Sequence, residues 1–233
     1  MSGLRGAYVG GVRAARGLAD RVGLLDRLGG SGAHTARHLR TLFAIHDVAD
    51  LAGLDLAWWS YPAMARVERF LAARDAPRVF EFGAGASTAW LARRAAEVHS
   101  VEHDAGFAGH VRALLADAPH VTLHAVPATP AGASTVVRSG RAGHEHLDFG
   151  AYASTIDAVG GEFDLVVVDG RARVACFRRA LDHLAPDGLV VFDNIRRKRY
   201  AEATTTPGTR VEYLRGGTPA LPYPTTTGLI NRG

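Results

Sequence analysis

One short run of the chain, Glu81-Phe82-Gly83-Ala84-Gly85-Ala86-Ser87-Thr88, has the composition of a loop that lets a ligand approach the backbone. Its glycines permit a tight turn with no Cβ in the way, and a Ser or Thr just beyond them can cap a helix or donate to a carboxylate. A dinucleotide-binding loop would carry a third glycine at position 88, where this chain has Thr88. It would also press a pyrophosphate against the Glu81 carboxylate, an electrostatic conflict at short range. That carboxylate suits instead a ligand bearing an ammonium and a sulfonium. Glu102 lies 19 residues beyond Gly83, at the end of a second β-like run. An acid there either is solvated or accepts both hydroxyls of a ribose, and the glycine loop at the expected distance favours the ribose.

Further acids end two later runs, Asp169 and the pair Asp193-Asn194. Three oxygen ligands converging on one crevice would suit Mg²⁺, whereas a lone Asp169 would serve as a general base or bond to backbone amides. Against the metal, only 24 residues separate Asp169 from Asp193, and Arg171 and Arg173 place positive charge where the ion would sit. His144 and His146 flank Glu145 near Arg138 and Arg141. They either offer a base from a closing segment or are ordinary loop polarity. Arg196-Arg197-Lys198-Arg199 opens a helical stretch, where positive charge opposes the macrodipole. The run attracts an acidic substrate or is a solvated face. His183 is expected to face away from the site, and Cys176 to pack in a helix.

The elements that position these groups are legible from periodicity. β-branched runs at Val79–Phe82, Val98–Glu102, Val121–Val126, Leu165–Asp169 and Leu189–Asp193 alternate with helical stretches, the pattern of parallel strands joined by crossover helices. Two more runs, Arg210–Leu214 and Thr226–Asn231, close the chain, joined through Pro219, Pro222 and Pro224. Pro127–Asp148, about twenty residues rich in Pro, Gly, Ala and Ser, is too long for a simple connection and is expected to be a lid or disordered. The first 76 residues read as a helical extension, with Leu18, Val22, Leu25 and Leu28 at helical spacing, a helix over Thr35–Ala52 and another over Ala63–Ala73. Residues 77–233 form the domain proper.

Composition bounds the rest. At 233 residues with 47% hydrophobic and 21% charged residues, the chain is ordinary globular α/β material. Residues 1–45 hold seven arginines against Asp20 and Asp26, while the remainder balances 20 basic against 21 acidic residues. The net charge of +4 is therefore an N-terminal property, and a nucleic-acid partner is not expected. An amphipathic N-terminus makes a homodimer through these helices the expected assembly. The single cysteine fits a reducing cytoplasm, and no apolar run reaches membrane-spanning length.

With these residues in order, the chain resembles the class I S-adenosylmethionine-dependent methyltransferases. The resemblance rests on the loop Glu81–Thr88, the acidic end Val101-Glu102-His103-Asp104, the strand Phe163–Gly170 and the segment Leu184–Leu189, and it covers roughly residues 58–231. Asp169-Gly170-Arg171-Ala172-Arg173 with Cys176, Asp193-Asn194 and Trp58–Pro62 is similar to a bacterial subgroup of largely unassigned substrate. The resemblance implies a Rossmann-like, seven-stranded, mostly parallel sheet whose last strand is antiparallel. It implies Glu81 and Gly83 near the methionine amino group, Ser87 or Thr88 near its carboxylate, and Glu102 on the ribose. His103 or Asp104 would border the adenine, and Trp58, Trp59 and Tyr61 would cap the cofactor, unless the aromatics simply pack a helix start. Gly85 and Asp169 complete the expected cofactor set. Asp169, Asp193 and Asn194 resemble the Mg²⁺ triad of catechol-type O-methyltransferases, and the expected reaction is O-methylation of a small molecule. RNA methylation and a non-catalytic cofactor- or partner-binding role are the alternatives.

Overall fold

The computed structural model describes residues 15–44 and 47–233. Residues 15–21 are helical and are followed by α1 (Leu24–Gly29), α2 (His34–Leu42), α3 (Val48–Gly53) and α4 (Tyr61–Ala72). The single helix expected over Thr35–Ala52 is two, because the Asp47 carboxylate accepts the Asp50 N–H at 2.9 Å and starts α3 afresh. Arg16 on Asp47 and Arg40 on Asp50, both at 2.6 Å, lock that corner. His46, expected on the helix face, lies outside the described residues. Leu18 and Val22 are exposed.

The body begins with β1 (Arg78–Phe82), α5 (Ala86–Ala92), β2 (Glu97–Glu102), α6 (Ala105–Leu114) and β3 (Val121–Ala125). A long excursion follows, with β4 (Thr129–Pro130), β5 (Leu147–Asp148), α7 (Gly150–Ala153) and α8 (Thr155–Val159). Then come β6 (Phe163–Val168), α9 (Arg173–Asp182), β7 (Leu184–Phe192), a 3₁₀ turn at Lys198–Tyr200, α10 (Ala201–Thr205), β8 (Thr209–Thr218) and β9 (Leu221–Arg232). The seven-stranded sheet has the order β3-β2-β1-β6-β7-β9-β8. Its first five strands are parallel, while β9 runs antiparallel to both β7 and β8. The final hairpin turns more tightly than expected, at Pro219-Ala220, so Pro222 and Pro224 lie within β9 beside a register shift, where a missing N–H is tolerated.

Period-two patterning gives the sheet two apolar faces. Val79, Leu165, Val167 and Val191 pack with Val67 and Leu71 of α4 and Trp90 and Leu91 of α5. Phe80, Phe82, Val166, Val168 and Phe192 pack on the other face with Tyr152, Ile156 and Phe177. The chain leaves β1 toward β2 and β3 and returns to its opposite side as β6. The loops after β1 and β6 therefore diverge and open a crevice at the strand ends.

The N-terminal helices are tied to this body. Ser60 donates to the Leu214 carbonyl at 2.8 Å, and the Ala220 N–H donates to Thr41 Oγ1 at 3.1 Å. Ala44 and Leu51 pack with Ala86 and Ala220, joining the extension to α5 and the hairpin. No helix among the described residues is long and apolar enough to cross a membrane.

Candidate functional site

The glycine loop stands on a buried carboxylate. Glu81 lies on the face of β1 covered by α5 and is 0% exposed. It accepts hydrogen bonds from Ser87 Oγ at 2.5 Å, Thr88 Oγ1 at 2.6 Å and Ser100 Oγ at 2.7 Å. Burial pushes its pKa up to about 7, against the downward pull of the three hydroxyls. Thr88 Oγ1 also accepts the Gly85 N–H at 2.9 Å, so the same hydroxyl holds both the carboxylate and the loop. Gly83 adopts φ +100°, and a Cβ there would lie 2.5 Å from Gly170 Cα. Only glycine lets the loops after β1 and β6 abut in this way.

Above the loop is a cavity of about 470 Å³, within the range of small-ligand sites. Gly83–Ser87 supply one wall, and Glu102, His103, Asp104 and Phe107 another. Asp169-Gly170-Arg171 come from the end of β6, Val48 and Trp58 from the N-terminal helices, and His144 from the excursion. Glu102 Oε1 accepts the Asp104 N–H at 2.9 Å, and Asp104 in turn caps α6 by accepting the Phe107 N–H at 2.9 Å. His103 Nδ1 lies 2.6 Å from Glu102 Oε1, out of line for a hydrogen bond.

The fold brings Trp58, Gly83, Gly85, Ser87, Glu102, His103 and Asp169 to this wall. It does not bring Glu81, Thr88 or Tyr61 there. Glu81 and Thr88 form the floor beneath the loop, and the Ser87 hydroxyl expected on a ligand carboxylate is taken by Glu81. The Tyr61 hydroxyl lies 3.2 Å from His38 Nδ1, on the side of the β8–β9 hairpin, where its ring packs on Gly217. Trp59 packs edge-on against Trp90, ring centroids 5.7 Å apart, in the core.

The expected metal triad does not hold together as one. Arg173, 8% exposed, donates to Asp169 Oδ1 and to the Asp193 carbonyl, both at 2.5 Å, and lies 3.7 Å from Asp193 Oδ2. Asp193 is further satisfied by Thr227 Oγ1 at 3.1 Å and by the Asn194 amide, while Asn194 Oδ1 accepts from Arg197 at 2.9 Å. The cation between these carboxylates is the chain's own guanidinium, and a divalent ion does not fit. No cluster of three or more metal-binding side chains occurs among the described residues. Burial and the neighbouring Asp193 carboxylate push the Asp169 pKa up, against the Arg173 charge.

The Pro127–Asp148 segment is an ordered cover. β4 pairs antiparallel with β5, the Phe149 N–H donates to the Val137 carbonyl at 2.9 Å, and Val137 and Leu147 pack on the core. It divides the two histidines. His144 reaches the cavity with its Nδ1 buried and unpartnered, whereas His146 is exposed and is not on the wall. Burial, then the charges of Arg171 and Arg141, hold His144 below its ordinary value. His183 faces away, bonded to Gly161 O and Asp157, and Cys176 is fully buried with its thiol pKa pushed up by burial. Arg196–Arg199 are exposed and off the wall.

Sequence reasoning missed Phe107, Val48 and the bridging role of Arg173. The signal for Arg173 was its nearness in sequence, since it follows Asp169 by four residues.

Residues 80–195 match the model of a family described as a methyltransferase domain. No curated protein sequence matches significantly. The fold matches the O-methyltransferase TomG of Streptomyces achromogenes, involved in tomaymycin synthesis and solved with SAM, at 19% identity and TM-score 0.54, over 80% of this chain and 89% of that one. It matches an O-methyltransferase of Bacillus cereus solved with SAH at 19% identity and TM-score 0.56, over 83% and 90%. An rRNA methylase of Streptococcus thermophilus matches at 13% identity and TM-score 0.50, over 72% and 95%.

Proposed function

We propose that this chain, which carries a methyltransferase domain over residues 80–195 and shares its fold with O-methyltransferases solved with SAM or SAH, is a class I S-adenosylmethionine-dependent methyltransferase that methylates an oxygen of a small molecule. The observation that carries this reading is His144, a base on the cavity wall with a buried, unpartnered nitrogen. With its pKa held below the ordinary value, the imidazole is neutral at pH 7 and takes the proton of an acceptor hydroxyl. Asp169 is already committed to Arg173 and orients that corner instead.

S-adenosylmethionine, when bound, supplies an electrophilic methyl group on a sulfonium. Glu102 would hold its ribose, the Gly83–Gly85 backbone its methionyl part, and His103 and Phe107 its base, while Trp58 would offer an aromatic surface to the positive sulfur. Matched folds include O-methyltransferases and an rRNA methylase, so the fold leaves the acceptor open. A cavity of about 470 Å³ shared with the cofactor and a near-neutral body both favour a small acceptor over a nucleic acid.

Calorimetric titration with S-adenosylmethionine and S-adenosylhomocysteine, on wild type and Glu102→Ala, tests the cofactor half. Micromolar-range binding, weakened about tenfold or more in the variant, is expected for a buried carboxylate that bonds a ribose. A screen of hydroxylated compounds, read by S-adenosylhomocysteine release, tests the acceptor half. Absence of cofactor binding by folded wild type, or turnover of RNA alone with steep salt dependence, refutes the reading.

A further inference from the structure

Arg171 is a cation in search of an anion. Among the described residues, every other arginine that is not exposed meets a carboxylate, as Arg40, Arg78, Arg94 and Arg173 do at 3.0 Å or less. The Arg171 guanidinium makes no ion pair and no hydrogen bond to the described residues, and its Nε is buried without a partner. Glu102 attracts it only from beyond ion-pair distance, and half-burying a guanidinium with no carboxylate in contact is costly, which folds tolerate where a ligand supplies the missing group. Its side chain stands on the cavity wall two residues beyond Asp169, with His144 of the cover on the same wall. Arg141, on that cover, weighs on the charges of both Arg171 and His144, so the covering segment adds positive charge over the same corner.

We propose that Arg171 seats a carboxylate or phosphate group of the acceptor, so that the methylated molecule is a hydroxylated organic anion. The inference rests on the small-molecule reading above and narrows its substrate class. Cofactor and acceptor can each bring an anion to this corner. The methionyl carboxylate, however, arrives with its own ammonium and with a sulfonium, and so brings no net negative charge to offset the guanidinium. A planar fork such as Arg171 pairs in bidentate fashion with carboxylate or phosphate, fixing an acceptor's orientation as well as its charge.

The test titrates protein saturated with S-adenosylhomocysteine with matched probes: 4-hydroxybenzoate and 3-hydroxybenzoate against 4-hydroxybenzamide, and phenyl phosphate and inorganic phosphate against phenol. At least one anion should bind about tenfold or more tightly than its neutral counterpart. Arg171→Gln should erase that preference while changing S-adenosylhomocysteine affinity less than about threefold. Arg141→Gln, on the exposed cover, should weaken anion binding several-fold without loss of thermal stability. If Arg171→Gln instead costs tenfold in S-adenosylhomocysteine affinity, the guanidinium serves the cofactor carboxylate and the proposal fails. It fails equally if no anion outbinds its neutral counterpart. Failure of wild type to bind S-adenosylhomocysteine at all overturns the underlying reading instead, so the two failures are distinguishable.

Discussion

Replacing Glu81 by Gln should make the protein's stability less dependent on pH. The carboxyl is fully buried, and its pKa of about 7 compares with 4.5 for the free group. Between those values the unfolded chain has released the proton while the folded one retains it, so stability falls as pH rises through that window and is flat above it. The difference in pKa corresponds to about 3 kcal/mol, of which roughly 2 to 3 kcal/mol falls between pH 5 and pH 8. Gln keeps a carbonyl oxygen to accept from Ser87, and its amide, in the place of Oε2, can donate to Ser100 Oγ, without a charge to desolvate. At pH 5 the variant should be the less stable protein by about 1 kcal/mol, the worth of one hydrogen bond. By pH 8 it should equal or exceed wild type. Urea denaturation at pH 5, 6, 7 and 8, with unchanged m-values, reads the difference directly, the raised pKa of Asp169 resting first on burial and Asp193 with the Glu81 charge a smaller contribution. A gap that stays constant with pH, or that widens in favour of wild type, would show that Glu81 is ionised in the fold and that the three hydroxyls outweigh burial.

Gly83→Ala places a Cβ 2.5 Å from Gly170 Cα at φ +100°, so cofactor binding should be lost and stability should fall by about 3 kcal/mol, measured by titration and denaturation. Arg173→Met leaves Asp169 and Asp193 facing each other without a cation and should cost about 3 to 5 kcal/mol. Because that guanidinium already bridges the acids, neither millimolar Mg²⁺ nor EDTA should move the melting temperature of wild type, and a rise with Mg²⁺ would contradict the placement. The acid limb of the kcat/KM profile should fall below the ordinary histidine value of 6.5, because His144 must be neutral to act and its pKa is lowered. His144→Asn should remove that limb and reduce kcat by about 10²- to 10⁴-fold while leaving cofactor affinity intact.

Much of the architecture was legible because its signals are local. β-branched runs and helical spacing located the five parallel strands and the closing pair, and their order implied which ends carry chemistry. The first helices were read less well. Asp47 interrupts Thr35–Ala52 with a cap whose strength depends on Arg16 and Arg40, and no periodicity encodes that pairing.

By itself the sequence determined the mostly parallel sheet, the glycine turn after β1 and the acid at the end of β2, since each depends on a spacing along one short segment. Only the tertiary structure decided where the polar groups point. Ser87 and Thr88 turn down to Glu81 because α5 packs over that face of β1, and Trp58 reaches the cavity while Tyr61 turns toward the hairpin. The cover brings in His144 and leaves His146 outside. Asp169 and Asp193 would have suited a metal as isolated strand ends. Adjacent parallel strands set them on either side of Arg173, and a guanidinium held by both acids takes the place of the ion while Arg171 is left without a carboxylate in contact. Charge pairing across neighbouring strands depends on distances in space, which spacing along the chain does not specify.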